Sequence, residues 1–161
     1  MEVKSNKSAM PKYYLAHPIR DRRDIRAWET EIEKRFKIEL INPFYDASEI
    51  GNTPALDRGE VNLYDPSFDS NEIVEGDLDL IRKADGVIAL VTGSMSIGTY
   101  MEIFFNSYVL RRPTQIIIEH PELVAHSWLR HMSDVSYGHI YKSREEFVKD
   151  FLEKPNKPKR N

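Results

Sequence analysis

Hydrophobic residues recur along the chain in two alternating patterns: short apolar runs, and longer segments in which apolar residues follow helical spacing. The apolar runs predict strands at residues 13–16, 38–41, 86–91, 114–119 and 139–141. The segments with helical spacing predict helices at residues 21–36, 98–111, 121–131 and 143–152, with a further helix that opens at Ser70. Strands and helices therefore alternate through the chain.

This alternation predicts an α/β fold in a single domain. Strands separated by helices are best accommodated in an open, five-stranded parallel sheet with helices on both faces. Two predicted helices also carry start signals: Pro121 suits the first turn of one, and Ser143 followed by Glu146 forms a capping-box pattern at the last. In such a sheet, the ligand site is expected at the carboxyl ends of the strands.

Two segments depart from the regular pattern. Residues 43–69 form a stretch that is too long for an ordinary connection and contains several prolines and glycines, so it is either a loop that covers a site or simply a mobile segment. The predicted helix over residues 98–111 is apolar nearly all round, so packing one face on a sheet would leave others exposed. A homodimer or larger homo-oligomer would cover this surface, and a neighbouring helix of the same chain is the alternative.

The composition narrows the class of protein. The chain has 161 residues, 40% of them hydrophobic, which suits one compact domain over residues 12–153 between a flexible segment at 1–11 and a disordered, Lys- and Pro-rich tail at 154–161. A net charge of -3 argues against a nucleic-acid partner and favours a small-molecule ligand. The polar N-terminus and the absence of long apolar runs predict neither a signal peptide nor a membrane span.

The content of cysteine and histidine, which commonly bind metals or form disulfides, is also informative. The chain has no cysteine, which excludes disulfides and thiolate ligands and fits a reducing compartment, so a cytoplasmic location is expected. The scattered histidines have no metal-like spacing, and no metal is predicted. These histidines are His120, His126, His131 and His139.

The segment with the clearest candidate chemistry follows the apolar run at residues 86–91. A buried strand that leads through a small-residue loop into a helix leaves free backbone N–H groups at the helix start, and these groups suit an anion. Glu102 lies about one turn into that helix, so a carboxylate is expected beside the anion site.

Several motifs occur in a fixed order along the chain. They are Tyr14-Leu15-Ala16, Ile19-Arg20, Asp77-Leu78, Ala84-Asp85-Gly86-Val87-Ile88-Ala89, Ser96, Gly98 and Glu102-Ile103. Over residues 13–152 this pattern resembles the nucleoside 2-deoxyribosyltransferase family, and most closely its branch of 2'-deoxynucleoside 5'-monophosphate N-glycosidases. The resemblance implies a flavodoxin-like sheet, oligomers with sites at subunit interfaces, and cleavage of the bond between base and sugar without a metal or cofactor.

The resemblance also implies catalytic roles for three residues. Glu102 matches the nucleophilic glutamate, Asp77 the aspartate that holds the sugar and assists departure of the base, and Tyr14 the tyrosine whose hydroxyl holds the nucleophile. Such roles fit the chemistry, because cleavage with retention needs a carboxylate nucleophile and a second group that protonates the leaving base. Each residue also has a simpler explanation. Glu102 could interact favourably with the helix dipole, Asp77 could lie on a solvated helix surface, and Tyr14 could serve strand packing.

A further set of residues is expected to bind the substrate, and it favours a 5'-monophosphate. Ser96 matches a phosphate-binding serine, Arg20 an arginine after the first strand, and Ser127 a serine donated by the neighbouring subunit, while Ile19 and Gly98 belong to the same motifs. Guanidinium, hydroxyl and helix N-terminus are groups that a phosphate dianion needs. The alternatives are that Ser96 only caps the helix and that Arg20 is an ordinary solvent-exposed charge.

The sequence departs from that branch at His17-Pro18, where the branch usually has Gly-Ser before Ile-Arg. Proline removes one backbone N–H, and histidine introduces a bulkier, titratable side chain. His17 therefore either supplies a replacement donor to the phosphate or narrows the site and changes which base fits.

The function predicted from the sequence is hydrolysis of the N-glycosidic bond of a nucleoside 5'-monophosphate, with a 2'-deoxy sugar favoured, through a glycosyl ester on Glu102. Base exchange between deoxynucleosides is the nearest alternative. A module that binds nucleotides without turnover is the second, because related strand-loop-helix elements bind nucleoside phosphates in other proteins. The residues considered as readers of the base are Phe44, Tyr45, Asp57, Arg58 and Glu60.

Overall fold

The computed structural model describes residues 9–46 and 69–154. Most of the stretch at 43–69, including Asp57, Arg58 and Glu60, lies outside the described residues, as do most of the predicted N-terminal segment and tail. The strands are β1 Lys12–Ala16, β2 Glu39–Ile41, β3 Gly86–Val91, β4 Thr114–Ile118 and β5 His139–Tyr141. The helices are α1 Arg22–Phe36, α2 Ser70–Lys83, α3 Ile97–Phe104, α4 Ser127–Val135 and α5 Arg144–Phe147.

The strands form one parallel sheet in the order β2-β1-β3-β4-β5. The chain runs outward from β1 to β2 and then returns across β1 to β3, so the strand order reverses between β1 and β3. In open α/β sheets the carboxyl ends of the strands at such a reversal form the usual ligand crevice. The predicted fold class is confirmed.

Helices cover both faces of the sheet, and this is why its strands are almost wholly apolar. Side chains alternate between the two faces along each strand: Leu15 and Ile88 pack on the side of α1 and α5, whereas Tyr14, Val87 and Ile116 pack on the side of α2, α3 and α4. Each strand therefore supplies residues to two separate clusters, and no residue of β3 is exposed.

Two predicted helices differ from the observed ones. In place of one helix at 121–131, a 3-10 turn at Pro121–Leu123 is followed by α4, because extended backbone at His126 interrupts the helix. The helix predicted at 98–111 begins at Ile97 and passes into a π-helical turn at Phe105–Val109.

Side chains cap the starts of α2 and α5. Asp69 accepts hydrogen bonds from the backbone N–H groups of Asn71 and Glu72 at α2, and Ser143 accepts one from Glu146 N at 3.0 Å, which confirms the predicted cap of α5. The last helix continues from α5 as a second π-helical turn at Val148–Leu152. Within the described ranges, every helix is too short or too polar to cross a bilayer.

Candidate active site

Tyr14 and Glu102 meet at the middle of the sheet. Tyr14 is fully buried in β1, and its hydroxyl donates a hydrogen bond of 2.6 Å to Oε1 of Glu102 in the second turn of α3. Because β1 and β3 are neighbours and α3 follows β3 directly, the parallel crossover brings these residues together although they are 88 positions apart. One oxygen of the Glu102 carboxylate is thereby held in a fixed position.

Asp77 lies on α2 and approaches the same carboxylate. Its Oδ1 is buried and has no hydrogen-bond partner among the described residues. Burial raises the pKa of Asp77 to about 6. A buried carboxyl oxygen without a partner is costly unless the group is protonated or a ligand completes its hydrogen bonds. Asp77 is thus a group whose hydrogen bonds a bound molecule would complete, and its raised pKa lets it accept and pass on a proton near neutral pH.

The ionisation of Glu102 reflects three influences. Burial raises its pKa to about 8, the hydrogen bond from Tyr14 acts in the opposite direction, and the charge of Asp77 adds to the rise. Burial and the two carboxylates also raise the pKa of the Tyr14 hydroxyl well above its ordinary value, so this hydroxyl remains a donor. Near neutral pH, the two carboxyl groups therefore hold about one proton between them.

The three side chains can perform a defined kind of chemistry. A pair of carboxyl groups that shares one proton can present a nucleophilic carboxylate and a general acid at the same time. The higher pKa of Glu102 places the shared proton on Glu102 in the free protein, while the hydrogen bond from Tyr14 favours the carboxylate form that a nucleophile needs, so the attack requires that the proton move to Asp77. The sequence predicted these three residues as the catalytic set, and the structure brings them together.

The start of α3 contains two of the predicted substrate-binding residues, Ser96 at the N-cap and Gly98 in the first turn. The Ser96 hydroxyl accepts a hydrogen bond of 3.3 Å from the backbone N–H of Thr99, and it forms a second hydrogen bond of 2.7 Å with the Thr99 hydroxyl. Ser96 therefore caps the helix. Gly98 lies in the first turn, where a Cβ atom would meet nothing within 4 Å. The backbone at the start of α3 is therefore open to a ligand.

The segment after β1 contains Ile19 and Arg20 in a short 3-10 turn, Ile19–Asp21. Ile19 is half-buried, whereas Arg20 is exposed, and no ion pair among the described residues engages its guanidinium. This turn follows the carboxyl end of β1, which is the same edge of the sheet from which the turn before α3 emerges.

The His17 ring is used inside the protein. Only 2% of the residue is exposed, Nδ1 lies 3.1 Å from the carbonyl oxygen of Pro18, and Nε2 lies 3.1 Å from Oδ1 of Asn42. Asn42 in turn donates to the buried carboxylate of Glu29 at 2.8 Å. Both ring nitrogens face protein oxygens, so His17 has no free nitrogen for a phosphate, and its expected role as a replacement donor is not retained.

Burial raises the pKa of Glu29 to about 7, against the effect of hydrogen bonds from Asn42 and Arg26. The burial of Glu29 was not predicted from the sequence, although the spacing of apolar residues indicates it. Glu29 follows Ile25 by four positions and precedes Ile32 by three, so it belongs to the apolar face of α1.

Ser127 lies away from the three central residues. It is exposed at the start of α4, and no hydrogen bond among the described residues joins it to Tyr14, Asp77 or Glu102. Its neighbours His126 and Trp128 line an apolar pocket of about 490 Å³ between α3 and α4. A position on this outer surface is compatible with the expected contribution to a neighbouring subunit, which stays a prediction.

A second carboxylate network was not foreseen from the sequence. Asp21 accepts hydrogen bonds from the hydroxyls of Thr92 and Ser94, at 2.6 Å and 3.0 Å.

No group of three or more potential metal-ligating side chains occurs in the described parts of the chain, and the absence of a metal in the reaction stays a prediction.

No protein-family model matches the chain, and no curated protein matches it. Several solved structures are similar to it, two of which are enzymes that act on nucleosides or nucleotides. One is a 2-deoxyribosyltransferase from the psychrotolerant bacterium Bacillus psychrosaccharolyticus, with 17% identity, a TM-score of 0.59, and coverage of 87% of this chain and 91% of that chain. The other is the CMP N-glycosidase of Clostridium botulinum, with 20% identity, a TM-score of 0.52, and coverage of 86% and 95%, respectively. At these identities the similarity establishes a shared flavodoxin-like fold.

Proposed function

We propose that this chain belongs to the nucleoside 2-deoxyribosyltransferase family and hydrolyses the N-glycosidic bond of a nucleoside 5'-monophosphate, preferably a 2'-deoxy one. The observation that carries the proposal is the arrangement of Tyr14, Asp77 and Glu102, in which one carboxylate is held by a tyrosine and influenced by a second carboxyl group. The similarity of the fold to a 2-deoxyribosyltransferase and to a CMP N-glycosidase supports the same class of reaction.

In the first half-reaction, the proton that Glu102 holds in the free protein moves to Asp77 when the substrate binds, and the Glu102 carboxylate attacks C1' of the sugar. The C1'–N bond breaks, its electron pair passes to the base, and Asp77 delivers its proton to the departing base. In the second half-reaction, water attacks C1' of the glycosyl ester and releases the Glu102 carboxylate, while the water proton returns to Asp77. The products are the free nucleobase and (deoxy)ribose 5-phosphate.

The protonation of the Glu102–Asp77 pair suits these two half-reactions. Each half-reaction begins or ends with one proton shared by Glu102 and Asp77, and their raised pKa values, about 8 and about 6, retain one proton on the pair near neutral pH. The hydrogen bond from Tyr14 stabilises the carboxylate form of Glu102 in the free enzyme and when the ester is cleaved.

The choice of a monophosphate rests on the start of α3 and on Arg20. Open backbone N–H groups at the start of a helix, the hydroxyl of Ser96 and an exposed guanidinium are suitable ligands for a phosphate dianion. A free 5'-hydroxyl would gain little from these groups. We therefore expect the phosphate to contribute most of the binding energy of the sugar end of the substrate.

The test is an assay of the purified protein with deoxynucleoside monophosphates, ribonucleoside monophosphates such as CMP, and free deoxynucleosides, with release of the base followed by chromatography. Release from the deoxynucleoside monophosphates, and its loss in Glu102→Ala with binding retained, is the expected result. Glu31→Ala, which alters an exposed glutamate on α1, is the matched control and should keep full activity. Unchanged base release in Glu102→Ala would mean that the nucleophile is misassigned.

Base exchange is the second candidate, and the similarity to a 2-deoxyribosyltransferase favours it. It shares the first half-reaction and differs in whether the glycosyl ester meets water or a second base. Adding an acceptor base to the same assay separates the two functions. Exchange on unphosphorylated deoxynucleosides, with no action on monophosphates, would overturn the phosphate argument. Ligand binding with no base release from any substrate would instead indicate a binding module.

We also propose that the protein is a homo-oligomer, at least a homodimer. Large apolar side chains are exposed on and around α3 and α4, and they surround the apolar pocket between these helices. The exposed residues are Met95, Ile97, Met101, Phe104, Tyr108 and Trp128. Analytical ultracentrifugation should find an assembly that Trp128→Glu weakens, whereas a monomer at every concentration would contradict the proposal.

A further inference from the structure

The loop between β3 and α3, residues 92–96, contains the residues closest to the proposed phosphate site, yet it has no regular secondary structure. Its position determines where Ser96 and the first turn of α3 present their donors. Because a donor must lie within about 3 Å of a phosphate oxygen to be useful, a loop that moves freely would bind the phosphate poorly. The structure shows how this loop is held.

Asp21 holds the loop from the opposite side of the crevice. Its Oδ2 accepts a hydrogen bond of 2.6 Å from the Thr92 hydroxyl, and its Oδ1 accepts one of 3.0 Å from the Ser94 hydroxyl. The Thr92 hydroxyl also accepts a bond of 3.1 Å from the backbone N–H of Ser94. Both carboxylate oxygens and two loop hydroxyls are therefore joined in one network.

Asp21 is itself fixed in the segment after β1. It ends the 3-10 turn that contains Arg20, and its backbone N–H donates to the carbonyl oxygen of Pro18 at 3.1 Å. The Asp21 carboxylate consequently joins the two segments that carry the proposed phosphate ligands, Arg20 on one side and Ser96 on the other. It links the carboxyl ends of β1 and β3, which border the ligand crevice.

The charge of Asp21 is unfavourable for a phosphate nearby, because two negative groups repel each other at short range. What the residue contributes must therefore be position. Hydrogen bonds from hydroxyls to a carboxylate are about twice as strong as those between neutral groups, and both oxygens of Asp21 are used in this way.

We propose that Asp21 is a positioning residue that fixes the loop 92–96 through Thr92 and Ser94 and so places Ser96 and the start of α3 to receive the 5'-phosphate of the substrate. This inference rests on the proposed function. It concerns affinity for the phosphate, because Asp21 makes no hydrogen bond to the catalytic residues Tyr14, Asp77 and Glu102 among the described contacts.

Two substitutions distinguish the effect of Asp21 on the position of the loop from the effect of its charge. Asp21→Ala removes both acceptors and releases the hydroxyls of Thr92 and Ser94. Asp21→Asn removes the charge but can keep both contacts, because its oxygen accepts from one hydroxyl and its NH₂ donates to the other. Glu31→Ala is the control for loss of an exposed carboxylate elsewhere on the fold.

Kinetics on a deoxynucleoside monophosphate and competition by inorganic phosphate provide the functional measurements. We expect Asp21→Ala to raise KM and the inhibition constant of phosphate about tenfold, with kcat changed by less than about twofold. Asp21→Asn should remain close to the wild type. A fall in kcat with unchanged KM, or equal losses in Ala and Asn, would overturn the proposal.

Hydrogen exchange of the unliganded protein supplies a readout that does not depend on the reaction. Amides of residues 92–98 should exchange faster in Asp21→Ala than in the wild type, in Asp21→Asn or in the Glu31→Ala control. Unchanged exchange at residues 92–98 would refute the proposed positioning of the loop by Asp21, even if the kinetic result is as expected. If no monophosphate is a substrate, the proposed function fails separately, and exchange together with phosphate binding still decides the role of Asp21.

Discussion

Replacing Glu102 by glutamine should make the folded protein more stable, and the gain should grow as the pH rises. The pKa of Glu102 is raised from 4.5 to about 8 by burial, so the folded state binds a proton that the unfolded state releases between these two values. Because the unfolded state binds fewer protons in this range, the free energy of unfolding falls as the pH increases. Glutamine keeps the hydrogen bond from Tyr14 and has no proton to lose.

The size of the effect follows from the shift. One pKa unit corresponds to about 1.4 kcal/mol, so the wild type should lose up to about that amount per pH unit through Glu102. Between about pH 5 and about pH 7.5, the free energy of unfolding of Glu102→Gln should gain about 3 kcal/mol relative to the wild type. Burial, which raises the pKa of Asp77, is the same in both proteins, so most of the contribution of Asp77 cancels in the difference.

Urea unfolding at a series of pH values is the appropriate assay, with the slope of the transition checked for constancy. Glu31→Gln, which alters an exposed glutamate, provides the control and should follow the wild type at every pH. Parallel curves for Glu102→Gln and the wild type would refute the reasoning. They would mean that Glu102 is not held in a buried, protonated state, and the proposed division of roles with Asp77 would lose its electrostatic basis.

Four further outcomes are expected. The pH profile of kcat/KM should be bell-shaped, with limbs near about 6 and about 8, because both fully protonated and fully ionised forms of the Glu102–Asp77 pair are inactive; a flat profile across this range would exclude the pair. Tyr14→Phe should lower kcat about 10- to 100-fold with little change in KM, measured by steady-state kinetics, since it removes one hydrogen bond to a charged group. Ser96→Ala should raise KM for the monophosphate but not for a free nucleoside, and should lower the free energy of unfolding by about 1 kcal/mol through loss of the helix cap. His17→Ala should destabilise the fold by about 2 kcal/mol in urea unfolding, because it leaves Asn42 without one of its buried partners.

The general architecture could be predicted from the pattern of apolar residues. Strands of the sheet are buried on both faces, and the helices between them bury one side, so each element carries its own periodic signal. One exception was the segment after β4, where the backbone at His126 is extended and divides the predicted helix; another was the π-helical turn at Phe105–Val109. Local conformation of this kind depends on a few dihedral angles and leaves no periodic trace.

The candidate site was predicted only in part. Glu102, Asp77 and Tyr14 were identified from ordered motifs that resemble a known family, and the structure places Tyr14 at the centre of β1 and Asp77 in the middle of α2. The role of Asp21 was not foreseen, because nothing in the sequence indicates that its carboxylate reaches Thr92 and Ser94 across the crevice. Of the two roles considered for His17, donation to the phosphate is disfavoured by a contact that the sequence does not reveal, since the ring faces Asn42, and an effect on the width of the site stays a prediction.

The sequence by itself determined the order of the elements and the burial of the strands, because these properties depend on local periodicity, and its ordered motifs supplied three candidate catalytic residues through their resemblance to a known family. Only the tertiary structure decided which polar side chains meet. Hydrogen bonds form over about 3 Å, whereas the partners Tyr14 and Glu102, or Asp21 and Thr92, are separated by about seventy or more positions along the chain. Their distances and pKa values arise only once the sheet has aligned β1 beside β3 and the helices have excluded water from between them.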